Sequence, residues 1–413
     1  MAKQRHIIVG GGIAALSAMK EIKEVSPEDD IKLVTKEDCL PHCVANLPYL
    51  ISGRLNECDF WLVDEERLDG LGGSLLRGKE VIGVSPDEKK VLFEDGAEEY
   101  DKLLVATGSH PVIPQINGLP EAGFVIFHTF KDYEILKEHL KEDANVVIFG
   151  GGLVAVEVSM ALLEAGYRVE LVVRSRILRR YFSSDFGEML EGILVDRGAK
   201  IHKGVVVDEV KKEKGASDVL LSDGQSLRSD MPIILALGVE PLTACLKGSG
   251  VKVEKGVVVN NRMMTSVANI YAAGDIVASP SFFTGKNGMN AILADAVDQG
   301  KIAGSNMAGQ GIEYGGWIPM NVLHLFDHKA VSVGLQGGEN DEVLEEIDQR
   351  NRVCKRLVFE GNRLIGAAFV DVDIFPWVFR YLVREKVDVG SKRDLLFENP
   401  KETSLELLRE SRS

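Results

Sequence analysis

Two glycine-rich turns of one design, Gly10-Gly11-Gly12-Ile13-Ala14-Ala15 and Gly150-Gly151-Gly152-Leu153-Val154-Ala155, constrain this chain more than any other feature. Each follows a short apolar run, His6-Ile7-Ile8-Val9 or Val146-Val147-Ile148-Phe149, that reads as a buried parallel strand, and each leads into helical sequence. The first glycine permits a tight strand-to-helix turn and the second lets a pyrophosphate approach the backbone. The third position, alanine in both copies, stays small so that helix packs on strand. A helix that begins this way offers free N–H groups and about half a positive charge to a diphosphate. One such turn is a weak signal, because tight α/β connections also use glycine for packing. Two with correct flanks predict two dinucleotide sites.

At 413 residues the chain exceeds a single core, and two or three domains are expected. With 45% hydrophobic and 27% charged residues it has a soluble globular composition, which excludes a disordered or collagen-like chain. No apolar segment is long enough to cross a bilayer. Met1-Ala2-Lys3-Gln4-Arg5 runs straight into the first strand, leaving no room for a signal peptide, so a cytoplasmic location is expected. The net charge of −15 argues against a nucleic-acid partner and suits solubility. Cys39, Cys43, Cys58, Cys245 and Cys354 form no CxxC and no ferredoxin-type run, so no metal site is expected and any iron–sulfur cluster belongs to a partner.

The first turn opens a helix from Ala14 to Val25, and Ile31 to Val34 completes a βαβ unit. An irregular stretch from Lys36 to about Arg54 follows. Between Val81 and Leu104 the alternation, with Asp95-Gly96 as a turn, predicts an antiparallel meander that returns to the sheet and ends in Ala106-Thr107-Gly108. The second unit repeats the plan: a strand from Val146 to Phe149, a helix from Val154 to Ala165, a strand from Arg168 to Val173, and a meander from Val205 to Leu227. It returns through Ile233 to Gly238. A further strand ends in Gly274-Asp275, and helical spacing runs from Asn287 to Met307. From about Ile312 the pattern changes to strands around 330–335, 353–359 and 364–370 and a helix over 377–385. The fold class is therefore α/β: two Rossmann-like dinucleotide-binding domains with inserted antiparallel meanders, plus a C-terminal α+β interface domain. The expected boundaries are 1–111 with 240–311, then 112–239, then 312–413.

The order of GGGIAA (10–15), YDKLLVATGSHP (100–111), GGGLVAVE (150–157) and IYAAGD (270–275) resembles the two-dinucleotide-binding flavoproteins, the FAD-dependent pyridine nucleotide-disulfide oxidoreductases, over nearly the whole chain. The resemblance implies FAD on Gly10, Gly12, Ala14, Ala15, Glu37, Val81, Ala106, Thr107, Gly108, Gly274 and Asp275. It implies NAD(P)H on Gly150, Gly152, Leu153, Arg174, Arg176 and Gly238, with Glu157 at the nicotinamide end. Thr35 and Lys36 stand where the acid for the FAD adenosine ribose normally falls, and Glu37 is the nearest substitute. Arg174 stands where NADH-preferring members carry an acid, with Arg176 two residues on. A guanidinium there can pair with a 2′-phosphate, so both nicotinamide dinucleotides stay open.

Members that reduce disulfides carry a redox cysteine pair, while the coenzyme A disulfide reductases and NADH peroxidases keep one flavin-facing cysteine ahead of a Gly-Leu-Pro-Tyr-like segment. Leu47-Pro48-Tyr49 is present here, but Ala45 takes the position of that cysteine and Cys43 lies two residues earlier. The same stretch resembles the ferredoxin and rubredoxin reductases, which use no active cysteine. Three readings follow. The first is an NAD(P)H oxidoreductase that exchanges electrons with a redox protein or partner subunit. The second is a thiol-dependent small-disulfide reductase or NAD(P)H oxidase with Cys43 as nucleophile, Cys39 within loop reach for a pair, and His42 as a cationic neighbour. The third is an electron-relay subunit docked through the C-terminal domain, which can also pair two copies. Packing alone is the plain alternative for both cysteines.

Overall fold

The computed structural model describes residues 3–70, 72–338 and 341–412, and these fall into two compact units. The first comprises residues 1–46, 55–110 and 239–317. At its centre five parallel strands lie in the order Ile270–Ala272, Lys102–Val105, Arg5–Val9, Asp30–Val34, Gly73–Leu76. Apolar runs fill these strands because both faces are covered, as a parallel sheet requires. The meander from Val81 onward is present as Gly83–Ser85, Lys90–Phe93 and Gly96–Glu99, turning at Asp95-Gly96.

Helix Ile13–Val25 follows the first glycine turn and packs along Leu293–Met307. The approach is close because Gly300 and Gly304 present no side chain. A Cβ at Gly300 would run into the Ala14 carbonyl oxygen, and one at Gly304 into that of Ala18. The helical spacing read from Asn287 begins only at Leu293, because Asn287–Gly288 is drawn into an antiparallel pair with Ser279–Pro280.

The second unit comprises residues 47–54, 111–238 and 318–413. Residues 111–238 and 318–413 cluster together in it, and the first unit extends to Trp317. Its parallel sheet has the order Lys200–Lys203, Arg168–Val173, Asn145–Phe149, Ile233–Leu235, Phe124–Val125. A meander of Val207–Glu213, Ala216–Leu221 and Ser226–Ser229 is inserted before the last central strand. The C-terminal part is an antiparallel sheet, Met320–Leu325, His328–Gly334, Arg363–Val370, Val353–Glu360, Glu342–Asp348. Helix Pro376–Arg384 packs on it, setting Phe379 against Phe369 with ring centroids 4.9 Å apart.

Two elements have no clear apolar pattern. Glu342–Asp348 is an edge strand rich in acids, and it is held by cross-strand charge pairs: Glu346 meets Lys355 at 2.7 Å and Glu345 meets Arg356. The stretch called irregular, Lys36 to Arg54, contains a 3₁₀ turn Val44–Asn46 and a short helix Leu47–Ile51, which Pro48 in its first turn helps to start. Among the described residues no helix is long and apolar enough to cross a membrane.

The helix contact makes a clean prediction. Gly304→Ala should destabilise the protein by about 1–3 kcal/mol through overpacking, whereas Gly192→Ala, in helix Ser184–Asp196 with open space around it, should stabilise it by up to ~1 kcal/mol. Denaturant unfolding of the two variants checks the opposite signs.

Candidate functional site

Both glycine turns repeat one geometry. Gly10 has φ +128° and Gly150 φ +137°, and a Cβ on either would overlap the carbonyl oxygen of Ala106 or Ala236 at the end of the next sheet strand. The middle glycines, Gly11 and Gly151, lie against Thr35, just past the end of its second strand, and Val173, the last residue of the other. By contrast nothing lies within 4 Å of a Cβ at Gly12 or Gly152. That open side faces two helices, Ile13–Val25 and Leu153–Glu164, whose first turns carry no side-chain cap and no acidic residue. Each helix thus keeps unpaired N–H groups and the positive end of its dipole, the cradle that a diphosphate fits.

In the first unit the strand ends beside Gly10 supply further contacts. Asp275 takes a hydrogen bond from the Ser109 hydroxyl at 3.2 Å, its one partner among the described residues, and burial raises its carboxyl above the ordinary aspartate value. An oxygen is left to accept a hydroxyl of a ribityl or ribose chain. The Gly274 N–H donates to Gln299 Oε1 at 2.9 Å, and Gln299 Nε2 donates to the Ser279 hydroxyl, so a buried glutamine fixes the Gly-Asp corner. Thr107 spends its hydroxyl on the Leu242 carbonyl at 2.8 Å, which leaves its backbone and that of Gly108 (φ +71°) as the parts open to a ligand. Val81 is buried in the core of this unit. These features fit FAD.

Glu37 does not stand alone. Its carboxylate is 3.9 Å from Cys39 Sγ and 4.0 Å from His42 Nε2, while Cys39 Sγ is 3.8 Å from His42 Nδ1. The three side chains form the one cluster of metal-competent donors among the described residues, although no metal site was expected. Sulfur lies 3.8 Å from Nδ1 of the imidazole and the carboxylate 4.0 Å from Nε2. Burial, then the Glu37 charge, pushes the Cys39 thiol up to about 12, so it is held neutral. Cys43 is buried, and neither cysteine is in a disulfide.

In the second unit Glu157 lies one turn beyond Gly152, among Leu153, Val154, Val156 and Val158 of a mostly apolar helix. Burial raises its carboxyl to about 7, where it is protonated about half the time at neutral pH. Two tyrosines, missed in the sequence, feel its charge. The Tyr49 phenol is raised first by burial and then by Glu157; that of Tyr181 is raised by burial, lowered by Arg180 and raised by Glu157. Tyr49 belongs to the Leu-Pro-Tyr segment, where the search for a cysteine drew attention away from the aromatic residue. Gly238, at φ +104°, accepts the Val112 N–H just beyond the Ala236 carbonyl that presses on Gly150. Arg174 is exposed, whereas the Arg176 guanidinium is taken by main-chain carbonyls and is not open to a nucleotide as its spacing implied.

The duplicated cradle defines a class of protein, a two-nucleotide flavin oxidoreductase. Residues 4–300 match the family model for pyridine nucleotide-disulphide oxidoreductases, and the chain belongs to that family. It is 31% identical over 410 residues to the NADH-dependent phenylglyoxylate dehydrogenase subunit epsilon of Aromatoleum evansii, covering 98% of this chain and 97% of that one. It is 30% identical over 404 residues to a CoA-dependent NAD(P)H sulfur oxidoreductase of Pyrococcus furiosus, covering 91% and 90%. Among solved structures it superposes on putidaredoxin reductase, in a covalent complex with putidaredoxin, with TM-score 0.89 at 22% identity and full coverage of both chains. The chain is an FAD- and NAD(P)H-dependent oxidoreductase.

Raising a carboxyl from 4.5 to about 7 means that the folded state holds its proton more tightly than the unfolded state. Stability is then full below pH 4.5 and falls as pH rises to about 7. Glu157→Gln removes the titration. Relative to this variant, the native chain should lose on the order of 3 kcal/mol across that window, measured by urea unfolding at pH 4.5 and pH 8.

Proposed function

We propose that this protein takes a hydride from NAD(P)H onto FAD and passes the electrons singly to an iron–sulfur protein or to a partner subunit carrying such a cluster. The observation that carries this reading is a dinucleotide cradle in each unit, together with a Cys39 thiol that is held neutral rather than activated. When bound, FAD supplies a ring that accepts two electrons and can release them one at a time. In this reading the free N–H groups after Gly12 hold its pyrophosphate and the open oxygen of Asp275 accepts a ribityl hydroxyl. The N–H groups after Gly152 hold the second pyrophosphate. Glu157, half protonated near pH 7, both donates to and accepts from the carboxamide at the nicotinamide end.

A relative named as a dehydrogenase subunit and a structural neighbour captured with its redox protein support an acceptor of this kind. The same reading takes the cytoplasm as compartment. It also allows two copies to pair through residues 312–413, where Phe375 and Trp377 are exposed.

FAD-loaded protein should bleach in stopped flow on mixing with reduced nicotinamide nucleotide and then reduce a ferredoxin or rubredoxin. Bleaching without reduction of any iron–sulfur or artificial one-electron acceptor overturns the assignment. Cys43→Ser should change flavin reduction and acceptor turnover by less than about twofold; intact bleaching with lost turnover would instead establish the thiol route. Asp275→Ala should release FAD on gel filtration while leaving the circular dichroism spectrum unchanged.

A further inference from the structure

The loop after strand Asp30–Val34 carries three donor side chains that the electron-transfer reading leaves without a task. Glu37, Cys39 and His42 fall within a six-residue stretch, and one ligand atom from each lies within 4.8 Å of the other two. The Cys39 sulfur is 3.9 Å from one Glu37 oxygen and 3.8 Å from His42 Nδ1, and the other Glu37 oxygen is 4.0 Å from Nε2. A tetrahedral zinc ion holds its sulfur, nitrogen and oxygen ligands about 3.3–3.6 Å from one another. Shifts of about 1 Å or less therefore close the three donors onto one ion.

The backbone that bears these donors is braced at both ends. The Thr35 hydroxyl and the Gly78 N–H donate to the Glu37 carbonyl at 3.0 and 3.3 Å. At the far end the Leu62 N–H donates to the Pro41 carbonyl at 2.9 Å, and His42 forms a β-bridge with Trp61. The buried imidazole packs against Phe60 and Trp61, with ring centroids 5.1 and 6.0 Å away. The Leu40 carbonyl lies 3.2 Å from its Nδ1, the kind of outer contact that orients a metal-ligating histidine. Glu37 and Cys39 are only half-buried, so an ion reaches the histidine past them. Thiolate, imidazole and carboxylate together suit zinc, whereas magnesium and calcium take oxygen donors.

We propose that Glu37, Cys39 and His42 bind one Zn²⁺ ion, with water in the fourth position and the Cys39 proton released to solvent, and that this ion competes with FAD for Glu37. The competition rests on the reading of the first turn as the FAD site. Thr35 lies against Gly11 and the donor loop starts beside it, where a dinucleotide on that turn places its adenosine ribose. One carboxylate cannot close on both the ion and the ribose hydroxyls, so zinc and FAD weaken each other by the same factor.

The full chain, reconstituted with FAD, is titrated with ZnCl₂ by calorimetry and with CdCl₂ by ultraviolet absorbance, where a cadmium–thiolate bond gives a charge-transfer band. Native protein should bind one Zn²⁺ per chain with a Kd of about 1 μM or tighter, and Cd²⁺ should raise the band. MgCl₂ should give no binding heat. Glu37→Gln and Cys39→Ser, both close in shape to the native side chains, should keep the circular dichroism spectrum and weaken zinc by about 30-fold or more. Cys39→Ser should also abolish the cadmium band, while Cys58→Ser, at an exposed thiol outside the cluster, should change neither signal. Saturating zinc should raise the Kd for FAD by about fivefold or more in native protein and by less than about twofold in Cys39→Ser, which retains Glu37. Absence of zinc binding, or zinc binding and a cadmium band that survive Cys39→Ser, overturns the site. Zinc bound through Cys39 with FAD affinity unchanged overturns the competition. Zinc bound through Cys39 in a chain that takes up no FAD under any condition would sink the flavin reading instead.

Discussion

The structure depends on two places where the chain comes closer to itself than any side chain allows: Gly10 against the Ala106 carbonyl and Gly150 against that of Ala236. Each contact clamps a strand-to-helix turn onto the end of the neighbouring strand. The helix behind it consequently starts at full dipole strength with its first N–H groups unpaired and no acidic side chain to quench them. The open space at Gly12 and Gly152 then follows from the same backbone path. The tightness of one glycine and the emptiness at another are a single device, used twice.

Duplication of the device does not extend to its surroundings. In the first unit the helix after the turn is locked against Leu293–Met307 through the bare backbones of Gly300 and Gly304, so the cradle there is set in a rigid pair of helices. Gln299 on that second helix also fixes the Gly274-Asp275 corner. The second unit instead keeps a carboxyl, Glu157, one turn into its helix, where burial brings it near neutrality. The second strands diverge as well. One leads into Thr35, whose methyl lies under Gly11 and whose hydroxyl donates to the Glu37 carbonyl; the other leads into an arginine-rich wrap. One turn geometry therefore serves two differently equipped nucleotide sites.

Thiol chemistry is shaped by the same economy of charge. Cys39 sits between Glu37 and His42, and the nearby carboxylates of Glu37 and Asp38, together with burial, hold it as the thiol. A nucleophilic cysteine needs the reverse, a cationic and partly open setting. The His42 ring is buried beside Phe60, with centroids 5.1 Å apart, and it turns one nitrogen edge to the sulfur and the other to Glu37. The cluster helps to shape the loop that follows the first βαβ unit.

The amino-acid sequence alone determined the duplicated βαβ plan, both glycine turns, the inserted meanders and the central strands, because these elements are local: apolar runs of strand length, small residues at fixed offsets, and turn residues such as Asp95-Gly96 each state their own conformation. It also marked Glu157 and Asp275 by motif. Edge strand Glu342–Asp348 was silent, since its pairing rests on charges from Val353–Glu360 rather than on its own alternation. Only the tertiary structure decided that Arg176 is spent on three carbonyls while Arg174 is open, that Tyr49 and Tyr181 feel Glu157, and that Cys39 is held neutral. These are properties of what surrounds a side chain, and burial and neighbouring charge are set by residues far apart in the chain that folding brings together.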